Sequence, residues 1–384
     1  MWKRLLCLLL AGVCLIGVMP SVRGAELEIA APSAVLMETM TGTVLYEKDA
    51  HTRLAPASVT KVMTLLLVME ALESGKISWN DTVTASEAAA AKGGSQVYLE
   101  VGEQMTMDEM IKSVVVSSAN DCATALAEHI AGSESAFVSR MNQRAQELGM
   151  NDTHFVNCTG LDDDPDADEH LTSAYDIALM SRELLKHEDI RRYTTIWMDT
   201  VRNGAFGLSN TNKLVRFYDG TTGLKTGYTS AAGHCLSASA MRDGVEYVAV
   251  VLHCASSTDR FQSAKQLLNY GFANYTLARP DPNVEIPPVP VVLGTVETIT
   301  AICADDTPIL LEKSRQSSVT TQVEVDPQVK APVEAGQRLG TMTLRAEGEV
   351  LAQIPLVAPD SVERRTWWDL TKQMLQYLCF CKTE

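Results

Sequence analysis

The sequence predicts an α+β fold: an antiparallel sheet packed with helices, then a small all-β sandwich, then a C-terminal amphipathic helix. Three observations predict it. Residues 33–50 and 234–254 read as hairpins at the two ends of one long segment. Helical periodicity fills most of the stretch between them, and short alternating runs occupy 290–358. Strands supplied from both ends of a segment, with helices between, build one sheet with the helices packed on it.

The elements follow in chain order. Residues 1–24 (MWKRLLCLLLAGVCLIGVMPSVRG) have the pattern of a secretory signal peptide. Lys3 and Arg4 precede a 15-residue apolar run from Leu5 to Met19, and Pro20 breaks it. Val22 and Gly24 stand three and one places before a cut ahead of Ala25. Such a run is short for a membrane span. Cys14 follows Val13, where lipoprotein processing needs a small residue.

The first domain is read as 25–277. SAVLMETMTGTVLYEKDA (33–50) gives two strands about a Thr41-Gly42 turn. A helix headed by Ser58 carries Val62, Leu65, Leu66, Met69 and Leu72 at helical spacing and stops at Gly75. From about 86 to 150 the pattern is mainly helical, with two apolar helices meeting about Ser117 to Asn120. Met105, Met107 and Met110 form a core stripe there. Another helix spans 171–187 with Thr172 as its cap. The period then changes to two. Residues 234–254 are a hairpin turned at Asp243-Gly244, and 260–275 return to helix.

Residues 278–289 begin a stretch holding five prolines and are read as a linker. The alternating strands of 290–358 are read as a β-sandwich. Over 361–382, a helix puts Trp367, Trp368, Leu370, Met374, Leu375, Tyr377, Leu378 and Cys381 on one side, opposite Asp369, Lys372, Gln373 and Gln376. A helix of that character suits the membrane interface, and partial burial of large apolar side chains at roughly 1.5–3 kcal/mol each can hold a protein there.

Composition excludes several classes. The formal charge of −16 becomes −19 once Lys3, Arg4 and Arg23 leave with residues 1–24. A chain so acidic repels nucleic acid. Seven cysteines remain after the leader, with no C-x-x-C among them, so neither a disulfide framework nor a zinc site is legible. They are expected to be mostly free thiols. The histidines show no metal-ligand spacing, and His234 is expected in the core. No metal or cofactor is implied.

Three short motifs carry the chemistry. APASVTKVMT contains Ser58 and Lys61, SSANDC contains Ser118 and Asn120, and GTTGLKTGYTSAAG contains Lys225, Thr226 and Gly227. The ordered set S-x-x-K, S-x-N, K-T-G belongs to serine acyl-transfer enzymes of the penicillin-binding type. Positions i and i+3 share a helix face, so Lys61 can reach the Ser58 hydroxyl. That hydroxyl is a poor nucleophile without an adjacent base. Lysine serves as base only when neutral, and lowering it from about 10.4 to about 7 costs roughly 4–5 kcal/mol. A dry pocket and the second cation, Lys225, both push that way. Ser118 can relay a proton. Asn120 can orient Lys61 and a substrate carbonyl. Lys225 and Thr226 can hold a substrate carboxylate, and Gly227 lets the substrate backbone lie close to its strand. The backbone N–H groups of Ser58 and Tyr228 would form the oxyanion hole.

With these motifs in place, residues 30–275 resemble the D-alanyl-D-alanine carboxypeptidases, the low-molecular-mass penicillin-binding proteins. RLAPASVTKVMT, SSAND, FVNCTGLD, HLTSAYDIA, NTNKL and GTTGLKTGYT carry the resemblance, and it extends into the β-module and tail. It implies a DD-peptidase/β-lactamase-like domain. It also implies removal of the terminal D-alanine from peptidoglycan stem pentapeptides through an acyl-enzyme on Ser58, and covalent acylation by β-lactams. Together with the leader and tail, it implies an exported enzyme on the outer face of the cytoplasmic membrane. Ala119 and Cys122 depart from the family pattern. A β-lactamase on the same scaffold would need a glutamate for its deacylating water, usually in E-x-x-L-N, and none is found. The acidic run 162–169 is read as a solvated loop. An inactive homologue that only binds wall peptides is disfavoured by the intact triple.

Overall fold

The computed structural model describes residues 27–379 except 282, 306 and 307. The leader read over 1–24 and the tail beyond Cys379 lie outside the described residues.

A five-stranded antiparallel sheet organises the first domain. Its strands are β1 (Ser33–Glu38), β2 (Val44–Lys48), β3 (Thr221–Thr229), β4 (Gly233–Arg242) and β5 (Val245–Cys254), in the order β2-β1-β5-β4-β3. The predicted two ends do meet: β1 pairs with β5 along its whole length. Asp243 and Gly244 turn the hairpin with φ of 52° and 77°, the two positive values that match the twist of flanking strands. β5 is apolar almost throughout because both faces are covered. Val248, Val250 and Leu252 point into the large helical core, while Tyr247, Ala249 and Val251 point into a second core.

Six longer helices cover the two faces. They are α1 (Lys61–Glu73), α2 (Met107–Val116), α3 (Asn120–Ala131), α4 (Glu134–Glu147), α5 (Ala174–Lys186) and α6 (Ser257–Asn274). The first five build the larger core, including the expected methionines 105, 107 and 110. Alone on the opposite face, α6 brings Gly271 against the Tyr247 ring, where a Cβ would be 3.0 Å away.

Two local expectations are corrected. α5 is capped by Ser173, whose hydroxyl accepts from Asp176 N at 3.2 Å, whereas Thr172 bridges in extended form to Leu54. Within 86–150, residues 91–103 form no helix; Gly93, Gly94 and Gly102 break the pattern with Gly94 and Gly102 at positive φ, and the backbone turns instead toward α3.

The second module contains a three-stranded sheet and a four-stranded sheet around one core of Val289, Leu339, Leu344, Leu356 and their neighbours. The linker is shorter than 278–289: Val284 and Ile286 already pack on this core, and a strand starts at Val289. The strand Ile309–Glu312, expected inside the sandwich, pairs instead with Tyr275–Ala278 at the end of the first domain. An unpaired strand edge needs a partner, and this strand supplies it. The terminal helix, α7 (Trp367–Cys379), starts six residues later than position 361. Val362 is buried in the module core and bridges Val333, so the chain there stays extended. Thr366 and Asp369 then cap the helix reciprocally.

Candidate active site

Ser58 lies in a single 3-10 turn, Ala57–Thr60, that leads into α1. It caps nothing: neither helical start has a side-chain cap bond. Ala57 holds φ at 47°, a left-handed conformation that costs a non-glycine residue free energy and persists only when surroundings enforce it. Two glycines enforce it. A Cβ on Gly160 would overlap Ala57 O, and one on Gly227 would stand 2.6 Å from Pro56 O and 3.0 Å from Ser58 N. Gly227 therefore seats the Ser58 turn against β3. The sequence had assigned its smallness to the substrate backbone.

Lys61, the first residue of α1, is fully buried. Its Nζ lies 3.0 Å from Ser58 Oγ and 2.7 Å from Thr159 O. Burial brings its pKa from 10.5 down to about 7, against the opposing pull of Cys158 and Asp121. The expected help from Lys225 runs the other way. Burial first, then the charges of Lys61 and Arg260, hold Lys225 well below its usual range.

Ser118 and Asn120 stand where α2 gives way to α3. Ser118 adopts φ of 62°, and its buried Oγ has no protein partner. Asn120 donates from Nδ2 to Gly93 O at 2.7 Å, while its buried Oδ1 has no protein partner. Asn120 therefore does not orient Lys61; the Thr159 carbonyl does. Asp121 explains why the neighbouring loop sits here. Its fully buried carboxylate accepts from Val97 N, Leu99 N and Cys122 N, near the positive end of α3.

The third motif lies on β3 as expected. Lys225 Nζ donates to Thr226 O at 3.1 Å, and Thr226 Oγ1 donates to Thr211 Oγ1 at 2.6 Å. Thr211 N in turn bonds Val116 O at the end of α2, which ties the strand to the S-x-N corner. Buried Arg260 supports β3 from α6 by donating to Gly227 O and Cys235 O. Tyr228 is 58% exposed and faces His234 across the β3–β4 pair, ring centroids 4.4 Å apart. His234 is thus a partly buried stacking partner rather than a core residue. Cys122, Cys158, Cys235 and Cys254 are buried free thiols.

Sequence reasoning missed Thr159, Asn157, Asp121, Thr211 and Arg260. Four of them lie inside the stretches SSAND, FVNCTGLD and NTNKL, but the group that matters at Thr159 is a backbone carbonyl, which any residue type supplies.

Two family patterns match the chain: D-alanyl-D-alanine carboxypeptidase over residues 20–256, and the penicillin-binding protein 5 C-terminal domain over residues 280–364. The chain belongs to the D-alanyl-D-alanine carboxypeptidase family. This carboxypeptidase is 41% identical over 390 residues to D-alanyl-D-alanine carboxypeptidase DacF of Bacillus subtilis, covering 96% of this chain and 99% of that one. Penicillin-binding protein 5 of Haemophilus influenzae superposes on this carboxypeptidase with a TM-score of 0.74 at 30% identity, over 88% of this chain and 98% of that one. Penicillin-binding protein D2 of Listeria monocytogenes, solved in its ampicillin-bound form, gives 0.59 at 30% identity, over 64% and 99%.

Proposed function

We propose that this carboxypeptidase cleaves the terminal D-alanine from peptidoglycan stem pentapeptides through an ester on Ser58. One observation carries the residue assignment: a buried lysine with its pKa near 7 stands 3.0 Å from the Ser58 hydroxyl. Neutral Lys61 takes the hydroxyl proton as Ser58 Oγ attacks the carbonyl carbon of the D-Ala-D-Ala bond. The backbone N–H groups of Ser58 and Tyr228 receive the developing oxyanion, each such donor being worth about 3–4 kcal/mol. As the C–N bond breaks, Ser118 relays that proton from the Lys61 ammonium to the departing amine, and Lys61 is neutral again. D-alanine leaves, and water then hydrolyses the ester.

Lys225 and Thr226 hold the substrate's terminal carboxylate. Its negative charge would restore the ammonium form that burial disfavours in Lys225. Asn120 Oδ1, buried without a protein partner, accepts from the substrate's peptide N–H. β-lactams follow the same first step and remain as esters on Ser58. The signal-peptide pattern of residues 1–24 supports export. Trp367, Trp368, Met374 and Leu375 of α7 are all more than half exposed, which supports docking of that helix in the membrane interface. No helix among the described residues is long and apolar enough to cross a membrane.

The test is mass spectrometry of a penicillin adduct with peptide mapping, followed by assay of free D-alanine from a pentapeptide. An adduct on the Ser58 peptide with D-alanine release is expected. Labelling without release would mark a wall-peptide binder, and rapid penicillin turnover without release would mark a β-lactamase.

A further inference from the structure

Lys61 and Asn120 are each held by a backbone carbonyl. Thr159 O takes Lys61 Nζ at 2.7 Å, and Gly93 O takes Asn120 Nδ2 at 2.7 Å. The two carbonyls belong to separate loops, one after α4 and one before α2. Neither loop is regular secondary structure at these residues, and Gly93 is followed by Gly94, so local backbone preference alone does not hold that carbonyl still.

One pair of charges joins the two loops. Lys92 Nζ lies 2.8 Å from Glu134 Oε2, with about four-fifths of each side chain buried. Lys92 immediately precedes Gly93. On the other side, Glu134 Oε1 accepts from Cys158 N and Cys158 Sγ, both at 3.2 Å, and Cys158 immediately precedes Thr159. Glu134 is itself firmly seated as the first residue of α4, where the helix dipole favours a carboxylate. Asn157 completes the clamp, since its Oδ1 accepts from Gly160 N at 2.7 Å and its Nδ2 donates to Asp164 at 2.6 Å.

We propose that the Lys92–Glu134 ion pair is a positioning device that keeps the Gly93 and Thr159 carbonyls in register, and through them Asn120 and Lys61. Neither Lys92 nor Glu134 touches a reacting atom. A largely buried ion pair is weak evidence of stability, but this one ties Lys92, beside Gly93, to Cys158, beside Thr159, and so joins the two residues whose carbonyls hold Asn120 and Lys61. The inference rests on Ser58 and Lys61 being the acylating pair.

The experiment measures acylation of Ser58 by a fluorescent penicillin from pH 5 to 9 in the full chain, with active fraction and Tm recorded. The variants are Lys92→Met, Lys92→Arg, Glu134→Ala and the double Lys92→Met/Glu134→Ala. Each non-conservative single change is expected to lower the rate about tenfold, as sub-ångström misplacement of a catalytic group does. The double is expected to be little worse than Glu134→Ala alone, because the two act as one unit. Lys92→Arg should restore most of the rate. In Glu134→Ala the acid limb should move to lower pH, since the lysine ammonium loses its well-placed carbonyl acceptor. A merely structural role would reduce the active fraction and leave that limb in place; this outcome overturns the proposal. So do wild-type rates in both singles, or rate losses that multiply in the double. If the wild-type chain itself is not labelled on Ser58, the acylating assignment fails, whatever the variants do.

Discussion

Lys61 shows what a single residue contributes and what it costs. With its pKa brought from 10.5 to about 7, the folded state binds one proton fewer than the unfolded chain between those values. Stability therefore rises with pH through that window, and the full penalty of about 4–5 kcal/mol applies below it. Replacing Lys61 by Met should raise Tm, and by more at pH 6 than at pH 10; an equal gain at both pH values would contradict a buried, neutral lysine. The same variant should acylate some 10²–10⁴-fold more slowly, the usual range for loss of a general base. In the wild type, the acylation rate should fall on the acid side of a midpoint near 7, read from penicillin labelling across pH. Gly227→Ala tests a different residue-scale claim. Its methyl would press on Pro56 O and Ser58 N, so labelling should slow and stability should drop by about 1–3 kcal/mol. A normal labelling rate in that variant would mean the turn can yield at no cost to the nucleophile.

Among the elements, the helix starts separate a structural serine from the one proposed to react. Ser173 caps α5, and Ser173→Ala should cost about 1 kcal/mol in urea unfolding while labelling continues. Ser58→Ala should do the reverse, abolishing labelling with little change in the unfolding midpoint, because Ser58 makes no cap bond. From sequence Ser58 and Thr172 each stood as a hydroxyl at the head of an apolar helical run, and Ser173 was passed over. Only the backbone decides, and Thr172 beside Ser173 shows how a one-residue difference is settled by an extended bridge to Leu54 rather than by residue type. The spacing of Ser58 and Lys61 was legible because a helical turn converts i, i+3 into proximity. The Asp121 cradle for Val97 and Leu99 was not, because it joins positions with no periodic relation.

At the scale of the molecule, the first domain gathers three distant motifs about β3, the edge strand of its sheet, and α7 follows the β-module in the chain. Val362 belongs to the module core, so a truncation should fall after Thr366 rather than near 360. A chain ending there should keep D-alanine release and move to the soluble fraction; retention on membranes would exclude α7 as the anchor. The sequence by itself determined the α+β class, the two-ended sheet, the β-module and the three motifs, because hydrophobic period, turn chemistry and side-chain identity are all written locally. Tertiary structure alone decided that Thr159 rather than Asn120 holds the Lys61 amine, that of the two expected causes burial and not Lys225 lowers its pKa, and that Gly227 makes room for the Ser58 turn. Those outcomes depend on backbone carbonyls, desolvation and close approach, which arise only when separate segments pack together.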